Sequence, residues 1–247
     1  MTTEQLRHRM PPILKALKER SLRGRTPVEG LRRTECAYHG WDTVHADAAS
    51  WEPFAPGDAF GGLEAHHCFK GTVTLPEASA GKRVVCLVST GASDIWNNNN
   101  PQFLAYVDGR LVCGLDVNHN EFDLAACAVP GESHELALYV YCNTPARDVF
   151  LRVETAERDD DVTGLYYDLR APYEVCALLA DDDTRAIGIM KHLNRALNLL
   201  DLRDLDSGAF AQSVRDAREY LRTEFYDGFC GRTDATEACV GHTHIDV

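Results

Sequence analysis

A change of apolar spacing near residue 158 constrains this chain more than any other feature. From about residue 33 to 158 the apolar residues alternate at the two-residue period of a strand; beyond it they recur near the helical period of about 3.6. A segment with one period, placed in the other backbone, would turn its apolar side to water. The chain therefore divides into a β-rich body followed by helices. Val84–Val88, Leu136–Cys142 and Val149–Val153 are runs of strand length bounded by Gly, Pro, Asn and Ser. Asp108-Gly109 sits between the apolar runs 103–107 and 111–113. That pair predicts a hairpin, because a type I′ turn needs positive φ at both central residues. Several strands separated by turn signals predict an antiparallel β-sandwich, jelly-roll-like, over 31–158.

Helices are expected on either side of it. In the 1–30 leader, Leu6, Met10, Ile13, Leu14 and Leu17 recur at helical spacing. Pro11-Pro12 removes backbone donors and predicts a break. Over 159–232 lies a helical connector. Ile187, Met190, Leu193, Leu197 and Leu200 form one stripe; Phe210, Val214, Ala217, Leu221 and Phe225 form a second, with Asp206-Ser207 placed to cap it. The joint between them is short, which predicts a helical hairpin. Residues 233–247 then read as the first strand of an α/β barrel.

Charge narrows the partners. There are 25 Lys+Arg against 38 Asp+Glu, a net charge of −13. Phosphate affinity needs a basic surface, so neither nucleic acid nor an anionic membrane is expected. A neutral ligand such as a sugar is compatible. The nine cysteines have no CxxC spacing. Cys86, Cys113, Cys127, Cys142 and Cys176 lie in apolar runs and read as reduced, buried thiols. The N-terminus has no apolar signal core, and no run approaches the ~18 residues of a membrane span. The expected location is the cytoplasm.

His242-Thr243-His244-Ile245-Asp246 carries the most chemistry. In a strand, 242, 244 and 246 point to one face, and imidazole nitrogen and carboxylate oxygen are zinc donors. Such a site normally takes at least three protein ligands, so the chain is expected to be the front of a larger enzyme. Asp116 and His119, in Gly114-Leu-Asp-Val-Asn-His119, could touch substrate or metal; the alternative is a loop whose Asp and Asn hold their own backbone. His66-His67-Cys68 are neighbours, which alternate faces in a strand and cannot all reach one ion. Trp41, Trp51, Trp96 and nearby Tyr residues could stack on sugars; the alternative is that they fill the sandwich core or an interdomain contact.

Cys239 to Val247 resembles the opening catalytic strand of the α-mannosidases of glycoside hydrolase family 38. Upstream, Trp51-Glu-Pro-Phe54, Val73-Thr-Leu-Pro76, Tyr106-Val-Asp-Gly109 and Gly114 to His119 resemble the leader of the bacterial and cytosolic members, in order and spacing. The resemblance implies a zinc-dependent retaining α-mannosidase, a homo-oligomer when intact, acting on α-mannosides or oligosaccharides. It implies His244 and Asp246 as metal ligands and His242 as a residue orienting them. A further Asp and His ligand and the acid/base carboxylate would lie beyond Val247, so no catalytic residue is assigned here and this polypeptide alone is expected to be inactive. The competing readings are a stand-alone carbohydrate-binding or scaffolding sandwich, and the front of another metallohydrolase.

Overall fold

The computed structural model describes residues 3–91, 101–180 and 182–231. In chain order these form α1 (Thr3–Arg20), β1 (Leu22–Pro27), β2 (Arg32–Glu35), α2 (Trp41–His45), β3 (Glu52–Pro53), β4 (Ala59–Thr74) and β5 (Arg83–Ser89). Then come β6 (Gln102–Val107), β7 (Arg110–Leu115), β8 (Glu121–Ala125), β9 (Ser133–Phe150) and β10 (Arg152–Arg158). Helices α3 (Asp160–Cys176), α4 (Thr184–Leu199) and α5 (Gly208–Tyr220) follow, and α5 runs on as a π-helical segment, Leu221–Cys230. Two compact units result: residues 22–159, and residues 3–21 together with 160–231.

The first unit is a β-rich sandwich. A four-stranded sheet has the order β1-β10-β5-β8 and a six-stranded sheet the order β3-β2-β4-β9-β6-β7. Every described pairing is antiparallel. Alternation brings one side of each sheet into a shared core: Phe69, Phe103 and Leu138 from the larger, Cys86, Phe122 and Val153 from the smaller. The predicted hairpin is present, with Asp108 at φ 51° and Gly109 at φ 73° between β6 and β7.

The long β4–β9 pair forms the spine, in register from Ala59↔Phe150 to Thr74↔Ser133 with bulges near Gly62 and Ala65. At the bulge Gly61 has φ 129°, and a Cβ there would collide with the Ala146 carbonyl oxygen. Only glycine fits.

The second unit packs α1 against α3 and α4, with α5 completing the same core. Leu6, Met10, Ile13 and Leu17 supply the α1 stripe and meet Leu165, Leu169, Leu193, Leu197, Val214 and Phe225 in one core. Three sequence expectations need correction. Helix α1 passes through Pro11 and Pro12 without a break. Proline at 11 takes away the N–H that the Arg7 carbonyl would accept from, and the Tyr173 hydroxyl donates to that oxygen instead, at 3.4 Å. Ile187 is exposed; the buried stripe of α4 is Ala186, Met190, Leu193, Ala196 and Leu197. Cys127 is exposed as well, in the turn between β8 and β9, where no strand face buries it.

Among the described residues, no helix is long and apolar enough to cross a membrane. The predicted barrel strand 233–247 lies outside the described residues.

Candidate functional site

The outer face of the six-stranded sheet carries a cleft, and register lays down its floor. Tyr141 pairs with His66 on β4 and with Gln102 on β6; Tyr139 pairs with Cys68 and Leu104. Residues two apart share a face, so both tyrosines lie opposite the buried Leu138 and Val140.

A tight turn, Ala37–Gly40, forms one wall. The Gly40 N–H donates to the Ala37 carbonyl at 3.0 Å. His39 and Gly40 are both left-handed, at φ 65° and 54°. A Cβ on Gly40 would come within 2.6 Å of the Tyr139 ring and 3.1 Å of the Cys68 sulfur. His39 holds the same conformation with a side chain, a strained state that persists only where surroundings enforce it. Here its N–H donates to Tyr139 Oη at 3.3 Å, and the same oxygen bonds His66 Nδ1 at 2.7 Å. The His66 ring stacks on Tyr139 and on Tyr141, with centroids 5.8 and 5.2 Å apart. Burial pushes the Tyr139 hydroxyl above its ordinary pKa, so it remains a neutral donor.

The loop after β7 forms the opposite wall. Asp116 Oδ1 accepts from the N–H of Asn118 at 2.8 Å and of His119 at 2.7 Å, and lies 3.2 Å from His119 Nδ1. Partial burial works against ionisation of Asp116, but these His119 and Asn118 bonds outweigh it and hold the carboxyl below its usual range. It is therefore an anion at neutral pH. Tyr38, Gln102 and Leu104 complete a cleft of about 620 Å³, within the ~300–1,000 Å³ typical of small-molecule sites.

Of the residues singled out in the sequence, the structure brings Asp116 and His119 to this cleft. His242, His244 and Asp246 lie outside the described residues, as does Trp96. Trp51 is buried under the 41–48 segment, its ring beneath the Lys70 ammonium at 5.9 Å. Trp41 is exposed and packs on His45, with centroids 4.3 Å apart. His66 faces the cleft, whereas His67 is buried and bonds the Gly61 carbonyl at 3.3 Å. Burial lowers the His67 pKa, so its ring stays neutral. Among the described residues, no three His, Cys, Asp or Glu side chains converge to hold a metal.

The sequence reading did not single out Tyr38, His39 and Tyr141. One signal was there: Tyr139 and Tyr141 stand two apart in an otherwise apolar strand, so they share a side that needs an explanation.

No protein-family model matches the chain, and no curated protein matches it. Solved structures with partial similarity include a β-glucuronidase of Bacteroides uniformis, 11% identical, TM-score 0.42, covering 54% of this chain and 18% of that one. A β-glucuronidase of Faecalibacterium prausnitzii is 13% identical, TM-score 0.38, over 56% of this chain and 32% of that one. One from Ruminococcus gnavus, in complex with D-glucuronic acid, is 9% identical, TM-score 0.41, over 56% and 30%. The chain thus covers less than a third of each of these proteins.

Proposed function

We propose that this chain is the N-terminal portion of a cytoplasmic, zinc-dependent retaining α-mannosidase resembling glycoside hydrolase family 38. The observation that carries the reading is His242-x-His244-x-Asp246 preceded, in order and spacing, by the leader segments 51–54, 73–76, 106–109 and 114–119. The last two segments lie at the two ends of β7, one at the β6–β7 turn and the other at the loop that follows β7. His244 and Asp246 are the residues that would hold zinc, through imidazole nitrogen and carboxylate oxygen. A zinc ion in such a site orients sugar hydroxyls and stabilises developing charge. His242, two positions before His244 in the sequence, would orient those two ligands. Retaining hydrolysis also needs a nucleophilic and an acid/base carboxylate. No residue of this chain is matched to either, so the reading assigns it support and metal donation.

The test compares this chain with a longer protein that continues past Val247, using an aryl α-mannoside. Turnover should appear only in the longer protein, vanish with a chelator, return with zinc, and be lost in Asp246→Ala. Turnover by the 247-residue chain, or zinc-independent turnover by the longer one, overturns the reading. Sugar binding without turnover in the longer protein selects the binding-module alternative.

A further inference from the structure

We infer that the cleft between the 37–40 turn and the 115–120 loop is a carbohydrate subsite of the sandwich itself, taking a neutral pyranoside. The inference goes beyond the α-mannosidase reading and does not depend on it.

A pyranose ring has an apolar C–H face and a rim of hydroxyl donors. The cleft offers a complement to each. For the apolar face there are two fixed aromatic rings. Tyr141 is held by stacking on His66 at 5.2 Å, and Tyr38 lies edge-on to the same imidazole at 5.8 Å. Tyr38 is 71% exposed, a large ring left in water on a turn whose backbone is strained at His39. For the hydroxyl rim there is Asp116. All three of its described bonds end on Oδ1. Oδ2 has no hydrogen-bond partner among the described residues, yet the carboxylate cannot swing, because two backbone N–H groups pin it. A fixed anionic acceptor selects O–H donors.

The charge of the lining selects among sugars. No Lys or Arg is among the described lining residues, and Asp116 is anionic. A uronic acid or sugar phosphate would place its own anion beside that carboxylate with no Lys or Arg among the described lining residues to offset it. A hexose, or a pair of linked hexoses, fits without that penalty. The left-handed His39 and Gly40 have a role in this arrangement: they turn the chain within two residues, which sets Tyr38 over the sheet instead of beyond it.

The experiment uses the full 247-residue chain, isotope-labelled, titrated with methyl α-mannopyranoside, methyl α-glucopyranoside and glucuronate while backbone amide shifts are followed. At least one neutral pyranoside should move Tyr38, His39, Gln102 and Tyr141, and glucuronate should bind more weakly. Tyr38→Ala and Asp116→Asn should each weaken binding about tenfold and leave the amide spectrum of the rest of the sandwich unchanged. Both side chains are exposed, so neither variant removes core packing. No response to any neutral sugar, a response that survives both variants, or a preference for glucuronate overturns the subsite. Binding of the glucoside over the mannoside upholds the cleft and counts against the α-mannosidase reading, so the two can fail separately.

Discussion

The sulfurs of Cys36 and Cys68 lie 3.3 Å apart, across the β2–β4 edge of the six-stranded sheet. Cys68 is buried and its thiol donates to Cys36, which is partly exposed. That donation lowers the Cys36 pKa and raises that of Cys68, with burial adding to the latter. In the folded protein Cys36 is therefore expected to alkylate well before Cys68. Cys68→Ala removes the donor and should slow the reaction of Cys36, whereas Cys68→Ser keeps a donor and should slow it less. Mass mapping of iodoacetamide labelling over time checks the order; equal rates in all three proteins would contradict it.

Tyr139→Phe tests how the 37–40 turn is held. The change deletes one oxygen that serves both His66 Nδ1 and the His39 N–H. Net loss should be about 1 kcal/mol. The more telling effect is local: the His39 amide loses its acceptor and should exchange with solvent faster, while amides of β5 keep their rates. Unchanged protection at His39 would show that the turn stands without Tyr139.

Lys70 is nearly enclosed, its side chain 6% exposed, with Nζ 2.8 Å from the Ala46 carbonyl and 3.0 Å from Glu135. Its stem and the Trp51 ring pack together under the 41–48 segment. Glu135 is half exposed and can return to water, so the loss on truncation is one charged hydrogen bond plus stem packing. Lys70→Ala should cost about 2 kcal/mol, and Lys70→Met less, because the stem remains. Denaturant midpoints of the two variants decide this; equal losses would mean that packing contributes little.

Strong acid should remove the charged cap of α4. Asp183 caps α4, and its carboxyl is held down to about 2 by the Arg185 side chain and then by the Arg185 N–H. A depressed folded value means that the contribution is complete above the unfolded value near 3.8 and is lost as pH falls through about 2. Asp183→Asn retains a capping oxygen and should flatten the acid limb of helicity below pH ~4. An Asp183 titration midpoint in the ordinary carboxylate range would refute this. Ser207, which accepts from the Phe210 N–H at 3.1 Å, provides an uncharged comparison: Ser207→Ala should cost about 1 kcal/mol at any pH.

How much of this was legible beforehand varied with the range of the interactions. The Asp108-Gly109 hairpin was plain because its cause is local, positive φ at two adjacent residues. The inward face of Leu136, Leu138, Val140 and Cys142 was plain for the same reason, a two-residue period. Helix α1 was misread at Pro11 because the replacement donor, Tyr173, is far along the sequence. The strand β4 was not read from the sequence, because the bulges at Gly62 and Ala65 break its two-residue period. The cleft was least legible. Asp116 and His119 were visible as a loop with ligand types, but Tyr38 and Tyr141 join them only through the pairing of β4, β9 and β6.

The sandwich interrupts the helical unit in sequence: α1 precedes residues 22–159, and α3 to α5 follow them. During synthesis at ~5–20 residues per second, the stripe of Leu6, Met10, Ile13 and Leu17 leaves the ribosome roughly ten seconds or more before its partners are made. A lone amphipathic helix draws most of its stability from packing its apolar face, and Pro11 and Pro12 weaken this one further. In that interval the nascent chain presents a greasy segment beside a folding domain, a natural docking point for a holdase chaperone. Slowing translation within β9 or β10 should lengthen that exposure and lower the soluble yield, even though no residue of the finished protein has changed.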